Sequence, residues 1–275
     1  MMDQTVCQDL RLVGTDLVQR LGISAVGQLT GTAKGMDFVA ANSEYCSNAV
    51  DSRVWALGLY WTVELAVEPD LTAGTPGIFT AGTTTQAMEA YITGGDLTFK
   101  IWDSGNTATT ITMGAAAAEV QTIQITRSAA TLSTKINNGT AVTGSMSATL
   151  DVRTPVGDLR IARDDATNYY DGTVDYLRVL NGIVRADHND RLIRLANPRA
   201  KHVFADYDFN ESAGGLVYDR SRYGNHLITQ NTPTEVTSLC HNPAPVRALS
   251  MFADVDGRKQ VLMVAGGQHF IAGAD

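Results

Sequence analysis

The chain has 275 residues, 44% of them hydrophobic and 18% charged, with 29 acidic against 21 basic side chains and a net charge of -8. That length allows one large domain or two small ones, and the acidity excludes wrapping around nucleic acid, where lysine and arginine must replace the counterions on phosphate. No apolar run approaches the roughly 20 residues of a membrane-spanning helix, and Cys7, Cys46 and Cys240 are too few and too scattered for a disulfide scaffold or a CxxC metal site.

The first residues lack a basic start followed by an apolar stretch, so no secretion signal is expected. Leu10, Leu12, Val13, Leu17, Val18 and Leu21 recur at an imperfect helical spacing, which predicts a short helix within an N-terminal arm, 1–34. From Gly35 to Gly182 the rhythm changes to short alternating runs. Trp61, Val63, Leu65 and Val67 share one strand face against Thr62, Glu64 and Ala66, and Leu97, Phe99 and Ile101 share one against Thr98, Lys100 and Trp102. Further runs at 120–127, 131–136, 158–163 and 173–180 are punctuated by Gly, Asp, Asn and Pro. Asn138-Gly139 is a strong hairpin signal, and 114–118 reads as a loop. This is the pattern of an antiparallel sandwich, in which each strand buries one face.

Residues 183–200 break the rhythm, and Leu192, Ile193 and Leu195 among charges before Pro198 predict a short helix. Arg185, Arg191, Arg194, Arg199 and Lys201 make this stretch locally basic, suiting either an acidic partner or a solvated helix face. Strands resume at 202–209, around 216–218 and at 226–229. Three more within 246–272 cannot bury a core alone, so they are expected to join a partner or the main sheet.

Segments 35–46 and 61–69 resemble the entry strands of the laminin-G-like, concanavalin-A-like jelly-roll family, and 77–82 and 135–142 fit the middle of its pattern. The stretch 159–163 leading into 169–182 is similar to the family's closing motif. Asp171-Gly172, Asp175 and Arg178 stand at its spacings, with Tyr170 for the usual Phe and Leu180 for the usual Tyr. Segment 207–227 resembles the family's opening segment, here placed after the closing strand. The resemblance implies an all-β, two-sheet antiparallel jelly-roll sandwich in circularly permuted order, with one short helix and a C-terminal β-hairpin arm. The expected divisions are an N-terminal arm (1–34), a sandwich (35–182), a helical linker (183–201), strands completing the sandwich (202–232) and an assembly arm (233–275). Because a permuted jelly roll keeps its old termini adjacent, 202–209 should pair with 173–180. Strand exchange with a neighbouring subunit is the alternative.

The resemblance implies little catalysis. Related glucanases aim paired carboxylates from one strand into a cleft, and Glu64, Glu68 and Asp70 only approach that spacing, with Pro69 ending the strand. No catalytic residue is expected. Many relatives hold calcium at a rim loop through oxygen ligands. Asp219, Ser221 and Asn225 form one oxygen-rich candidate. Asp164, Asp165 and Asn168 form another, beside Tyr169 and Tyr170, whose rings suit a sugar. The alternative is that these Asp and Asn residues are turn formers and that one tyrosine caps the core. The Asp254–Gly257 stretch lacks a downstream acid and reads as a hairpin turn. The resemblance also implies a non-enzymatic structural protein on the surface of a tailed-bacteriophage virion, of capsid-decoration or head- or tail-fibre type. Its partners would be other virion proteins and copies of itself, without nucleic acid or membrane insertion. A module recognising host surface glycan is the alternative.

Overall fold

A computed structural model describes residues 10–13, 16–19, 34–70, 74–186, 201–209, 215–237, 246–253, 259–265 and 268–273; in the segments before 34 and after 245 it is backbone pairing that is described. The chain forms two compact units, one of Lys34–Arg194 with Pro198–Cys240, the other of Met1–Ala33, Leu195–Asn197 and His241–Asp275.

In the second of these units β1 (Leu10–Val13) pairs antiparallel with β2 (Asp16–Gln19). The helical spacing therefore misleads here. Leu10 and Leu12 satisfy a period of two as well as one of 3.6, and Gly14-Thr15 between the runs favours a turn over a continuing helix.

The larger unit is a jelly-roll sandwich, its strands numbered in chain order. The first sheet runs β12 (Val142–Ser145), β11 (Thr131–Ile136), β10 (Gln121–Ser128), β5 (Tyr60–Pro69), β14 (Gly172–Asn181), β3 (Lys34–Phe38) and β18 (Thr234–Thr237), with β15 (Val203–Tyr207) also on β14. The second runs β16 (Leu216–Val217), β17 (Leu227–Gln230), β4 (Tyr45–Ala49), β13 (Asp158–Ile161), β6 (Gly77–Ala81), β7 (Met88–Thr93), β8 (Asp96–Trp102) and β9 (Ala108–Ala115). Alternation places Trp61, Val63 and Leu65 of one sheet and Phe79, Phe99 and Ile161 of the other in the shared core. An aromatic spine crosses it: Trp55 to Phe79 at 6.0 Å, Phe79 to Phe99 at 6.5 Å and Phe99 to Trp61 at 6.5 Å between ring centroids. Trp55 comes from α1 (Ser52–Trp55), capped by Asp51, whose side chain accepts from the Arg53 amide. This turn is the α-helix among the described residues, and Ala40–Asn42 forms a 3-10 turn. The helix expected at 183–200 lies outside them from 187 on, while Ile183–Ala186 is not helical.

Strand β15 pairs antiparallel with β14 in the same chain, Arg178 opposite Asp206 and Val179 opposite Ala205. β14 bulges between Val174 and Tyr176, so an extra residue, Asp175, restores the phase that sends Leu177 and Val179 inward. The spacing from Asp175 to Arg178 is thus bulge geometry. β18 pairs with β3, Thr234 opposite Asp37, so the boundary expected at 233 falls one strand early. β9 continues through Gly114 and Ala115, inside the stretch expected to be a loop. Beyond the sandwich, β19 (Val246–Ala253), β20 (Lys259–Ala265) and β21 (Gln268–Gly273) make a three-stranded antiparallel sheet.

A buried arginine fixes one end of the sandwich. Arg127 lies on the core side of β10, and its guanidinium donates to the carbonyls of Ala129, Gly58, Ser147 and Leu150. One planar fork thereby satisfies carbonyls from three loops.

Candidate functional site: a braced loop beside an open sheet face

The loop from Arg163 to Tyr170 leaves β13 through Ala162, whose φ is 65°. It closes on itself. The Tyr170 amide donates to the Ala162 carbonyl at 3.0 Å, and the Asp164 carboxylate accepts from the Ala166 and Asn168 amides at 2.9 and 3.0 Å and from the Asn168 side chain. Asp164 is therefore a turn former in the Asx sense. Arg160 donates to the carbonyls of Asp164 and Asp165 at 3.2 and 2.9 Å. The Arg163 guanidinium lies 4.8 Å from the Tyr45 ring centre and 5.0 Å from that of Tyr169, and it also donates to the Ala166 carbonyl. Gly77 lets the loop seat against β6, because a Cβ there would lie 2.2 Å from the Asp164 nitrogen.

Four of the five expected rim residues, Asp164, Asp165, Asn168 and Tyr169, thus share this loop. Tyr170 does not. It is fully buried, its hydroxyl aimed at the Thr173 carbonyl, and burial first, then Asp70, Glu68, Asp37 and Asp171, push its phenol well above the usual range. Tyr170 is core, the outcome that alternation from Asp171-Gly172 into β14 makes legible.

Asp219, Ser221 and Asn225 also come together, but around the carboxylate. One Asp219 oxygen accepts from the amides of Asp206 and Ser221, at 3.1 and 2.9 Å. The other accepts from the Ser221 hydroxyl and the Asn225 amide, at 2.8 and 2.9 Å. Asn225 contributes its backbone, not its side-chain oxygen. Calcium needs six or more oxygens with free lone pairs, so this set does not fit it; these residues tie the 219–225 turn to β15. Among the described residues no three His, Cys, Asp or Glu side chains are grouped as metal ligands. The nearest approach to a glucanase arrangement fails by burial. Glu64 is fully buried on the outer face of the first sheet, 2.9 Å from Arg185, and desolvation raises its carboxyl while Arg185 opposes the rise. Arg185, part of the basic stretch, has this structural role; the rest of that stretch up to 200 lies outside the described residues.

Register on the second sheet builds a face that local sequence does not show. Ser47, Arg160, Thr80, Glu89, Lys100 and Thr110 stand side by side on β4, β13, β6, β7, β8 and β9. Tyr91 stands two residues from Glu89 on the same side of β7, and Trp102 two from Lys100 on β8, both half-buried. The Lys100 ammonium is 3.8 Å from Glu89 and 4.5 Å from the Trp102 ring centre. Burial raises the Glu89 carboxyl above its ordinary value, Lys100 opposes, and Asp165 and Asp164 push it further up, so the loop's charges are felt at this face. Tyr91 lies opposite Gly77, where the loop is seated, and burial and then Glu89 raise its phenol. From β4 to β8 the row spans roughly 19 Å at ordinary strand spacing. Lys100 and Trp102 were visible on the outward side of one alternating run. Glu89 and Tyr91 were not, because β7 went unrecognised.

No protein-family model and no curated protein matches the chain. Among solved structures, it is similar to a proposed carbohydrate-binding protein from Bacteroides ovatus, at 15% identity and a TM-score of 0.55 over 75% of this chain. The chain spans 60% of that structure's length. It is also similar to a heptameric pentraxin from Limulus polyphemus (10% identity, TM-score 0.49, 76% of this chain and 97% of that one). A third is the LG4-5 region of the mouse laminin alpha1 chain (15%, 0.41, 54% and 41%). At these identities the likeness concerns the fold.

Proposed function

We propose that the chain is a non-enzymatic binding protein whose sandwich holds glycan on the outer face of the second sheet, beside the Arg163–Tyr170 loop. One observation carries the reading: two half-buried rings, Tyr91 and Trp102, flank the Glu89–Lys100 pair next to a loop braced from within. Aromatic faces suit the apolar face of a sugar ring, and the charged pair supplies hydrogen-bond donors and acceptors for hydroxyls. The Bacteroides ovatus structure, described as carbohydrate-binding, supports the ligand class. Tyr169 contributes less to stacking than its sequence position implies, since Arg163 already lies over its ring. A glycan array probed with the full chain tests the reading. Selective signal that falls with Trp102→Ala is expected, and reducing-sugar release from any bound polymer would overturn the non-enzymatic part.

A second reading concerns placement: the protein is a surface subunit of a tailed-bacteriophage virion, with its terminal strands joined to other virion proteins or to copies of itself. The observation favouring it is that segments from before 34 and after 240 make up a compact unit of their own. Many weakly binding copies on one particle would then act through avidity. Particle imaging with an antibody against the sandwich tests this, and particles that carry no copies would overturn it.

A further inference from the structure

One cation on the open face has no protein partner, and from it we infer that the glycan held there carries an anionic group, a carboxylate or a sulfate, read by Arg153 beside Trp102. The inference rests on the site proposed above. Val152 bridges to Asp103 in antiparallel register, and the Arg153 amide donates to the Trp102 carbonyl at 2.9 Å. Arg153 therefore stands across from Trp102 on the same side of the sheet. Its backbone is fixed: the Val152 amide donates to the Leu57 carbonyl and the Ser104 amide to the Asp151 carbonyl, both at 2.8 Å. Its side chain is half-buried, like that of Trp102, and makes no hydrogen bond or ion pair among the described residues.

The other charges of the face are engaged or stand elsewhere. Arg160 is held by the carbonyls of Asp164 and Asp165 and by the Asp158 carboxylate at 3.4 Å. Arg163 is held by the Ala166 carbonyl and the rings of Tyr45 and Tyr169. Lys100 pairs with Glu89. Asp96 lies at the other end of β8 from Trp102. Asp164 and the exposed Asp165 belong to the loop seated against Gly77, opposite Tyr91 and away from Trp102 along the strands. Near Arg153, Asp103 accepts from the Gly105 and Thr107 amides of its own turn, both at 2.9 Å, and the exposed Asp151 makes no ion pair with it.

The face is thus polarised, with an unpaired guanidinium at the Trp102 end and surplus carboxylate at the loop end. A carboxylate or sulfate on a sugar resting against Trp102 can accept from the planar fork of Arg153 in a two-pronged contact. It breaks no ion pair to do so. Lys100, whose ammonium is 4.5 Å from the same ring centre, adds a second positive charge. The uncharged remainder of the ligand then runs over Tyr91 toward the loop, where an anion would meet Asp164 and Asp165.

An array of matched oligosaccharides probed with the full chain at physiological salt tests this: uronate oligomers beside their methyl esters, and sulfated galactans beside desulfated ones. The chain carries a net charge of -8 and repels polyanions as a whole, so their retention reports a local contact. The charged member of at least one pair should bind about tenfold more tightly than its uncharged partner, and the pair that responds separates carboxylate from sulfate. Arg153→Gln should close that gap, and Arg153→Lys, which keeps the charge and loses the fork, should restore part of it. Trp102→Ala should weaken both members. Circular dichroism and a cooperative melt confirm that the variants are folded; Arg153→Gln, with no side-chain partner to lose, should melt with the parent chain. Charged members bound no better than uncharged ones overturn the anionic class and leave the site standing. A gap that survives Arg153→Gln overturns the role of Arg153. Retention of no oligosaccharide overturns the site, and this inference with it.

Discussion

The outer faces of the two sheets carry similar side chains under opposite conditions. On the first, Thr62, Glu64, Gln124, Tyr176, Arg178 and Asp206 are all buried. Ile183–Ala186 lies over the first two: the Thr62 hydroxyl donates to the Ile183 carbonyl and accepts from the Arg185 amide, Arg185 reaches Glu64, and Lys135 donates to the Ala186 carbonyl. On the second, Glu89, Tyr91, Lys100 and Trp102 keep part of their surface in water. Acid, base and aromatic residues recur on both. What separates a structural network from a candidate binding face is whether the chain lays a strap over it, and a strap supplies fixed partners where an open face offers exchangeable ones.

The difference is largest in what a lost charge costs. Arg178 and Asp206 form a two-pronged ion pair, both contacts 3.0 Å and both side chains almost fully buried. Removing Arg178 leaves the buried Asp206 carboxylate with only the more distant Arg220, 3.7 Å away, so Arg178→Met should destabilise the protein by about 3 kcal/mol. Lys100→Met, the matching change on the open face, should cost no more than about 1 kcal/mol. Urea titration of both variants checks the pair, and equal losses would erase the distinction between the faces.

A smaller effect tests the border of the open face. Gly77→Ala puts a Cβ against the backbone of Asp164, where no flexible side chain can yield, and should cost about 1–3 kcal/mol. Because the loop must shift away from Tyr91, glycan retention should fall as well. Stability lost with full retention would show that the loop frames nothing.

The alternation of apolar residues made most of the sandwich legible, since Trp61, Val63 and Leu65, or Leu97, Phe99 and Ile101, announce a buried face whatever their partners. It concealed elements where that contrast fades. In β7 the inward residues are Met88, Ala90 and Ile92, the small Ala90 weakening the signal. β9 lies at a sheet edge with three threonines among its eight residues. The strap is illegible for another reason. Glu64 and Arg185 stand far apart in sequence, and β5 alternates as a half-exposed strand would although it is buried along almost its whole length. The candidate site suffered most: Asp164 and Tyr170 were conspicuous, yet one organises its own loop and the other is core. Glu89 beside Lys100 is a product of register between strands.

Acid titration compares the two faces again. Burial raises both the Glu64 and the Glu89 carboxyl above their ordinary value of 4.5, Arg185 opposing the rise at Glu64 and Lys100 at Glu89. A raised folded-state value means that the folded form holds its proton longer than the unfolded chain does. The stabilisation is fully present below 4.5 and is lost as pH rises through the raised value. Glu64→Gln and Glu89→Gln should therefore each flatten the fall in melting temperature over that window. A Glu64→Gln variant whose melting temperature follows that of the parent chain across the window would show that Glu64 is open to water.

The smallest expected effect lies in the loop. Arg163 between Tyr45 and Tyr169 gains from both ring faces, and a cation over an exposed ring is worth about 0.5–1 kcal/mol. Arg163→Leu should therefore lower stability by about 1 kcal/mol while keeping the loop closed, since the Asp164 bonds remain. It also uncovers the Tyr169 ring and removes a positive charge from the border of the face. Glycan should then bind as tightly as before or tighter, measured by calorimetry beside the parent chain. Weakened binding would mean that the guanidinium itself touches the sugar, and would move the centre of the site from the sheet face onto the loop.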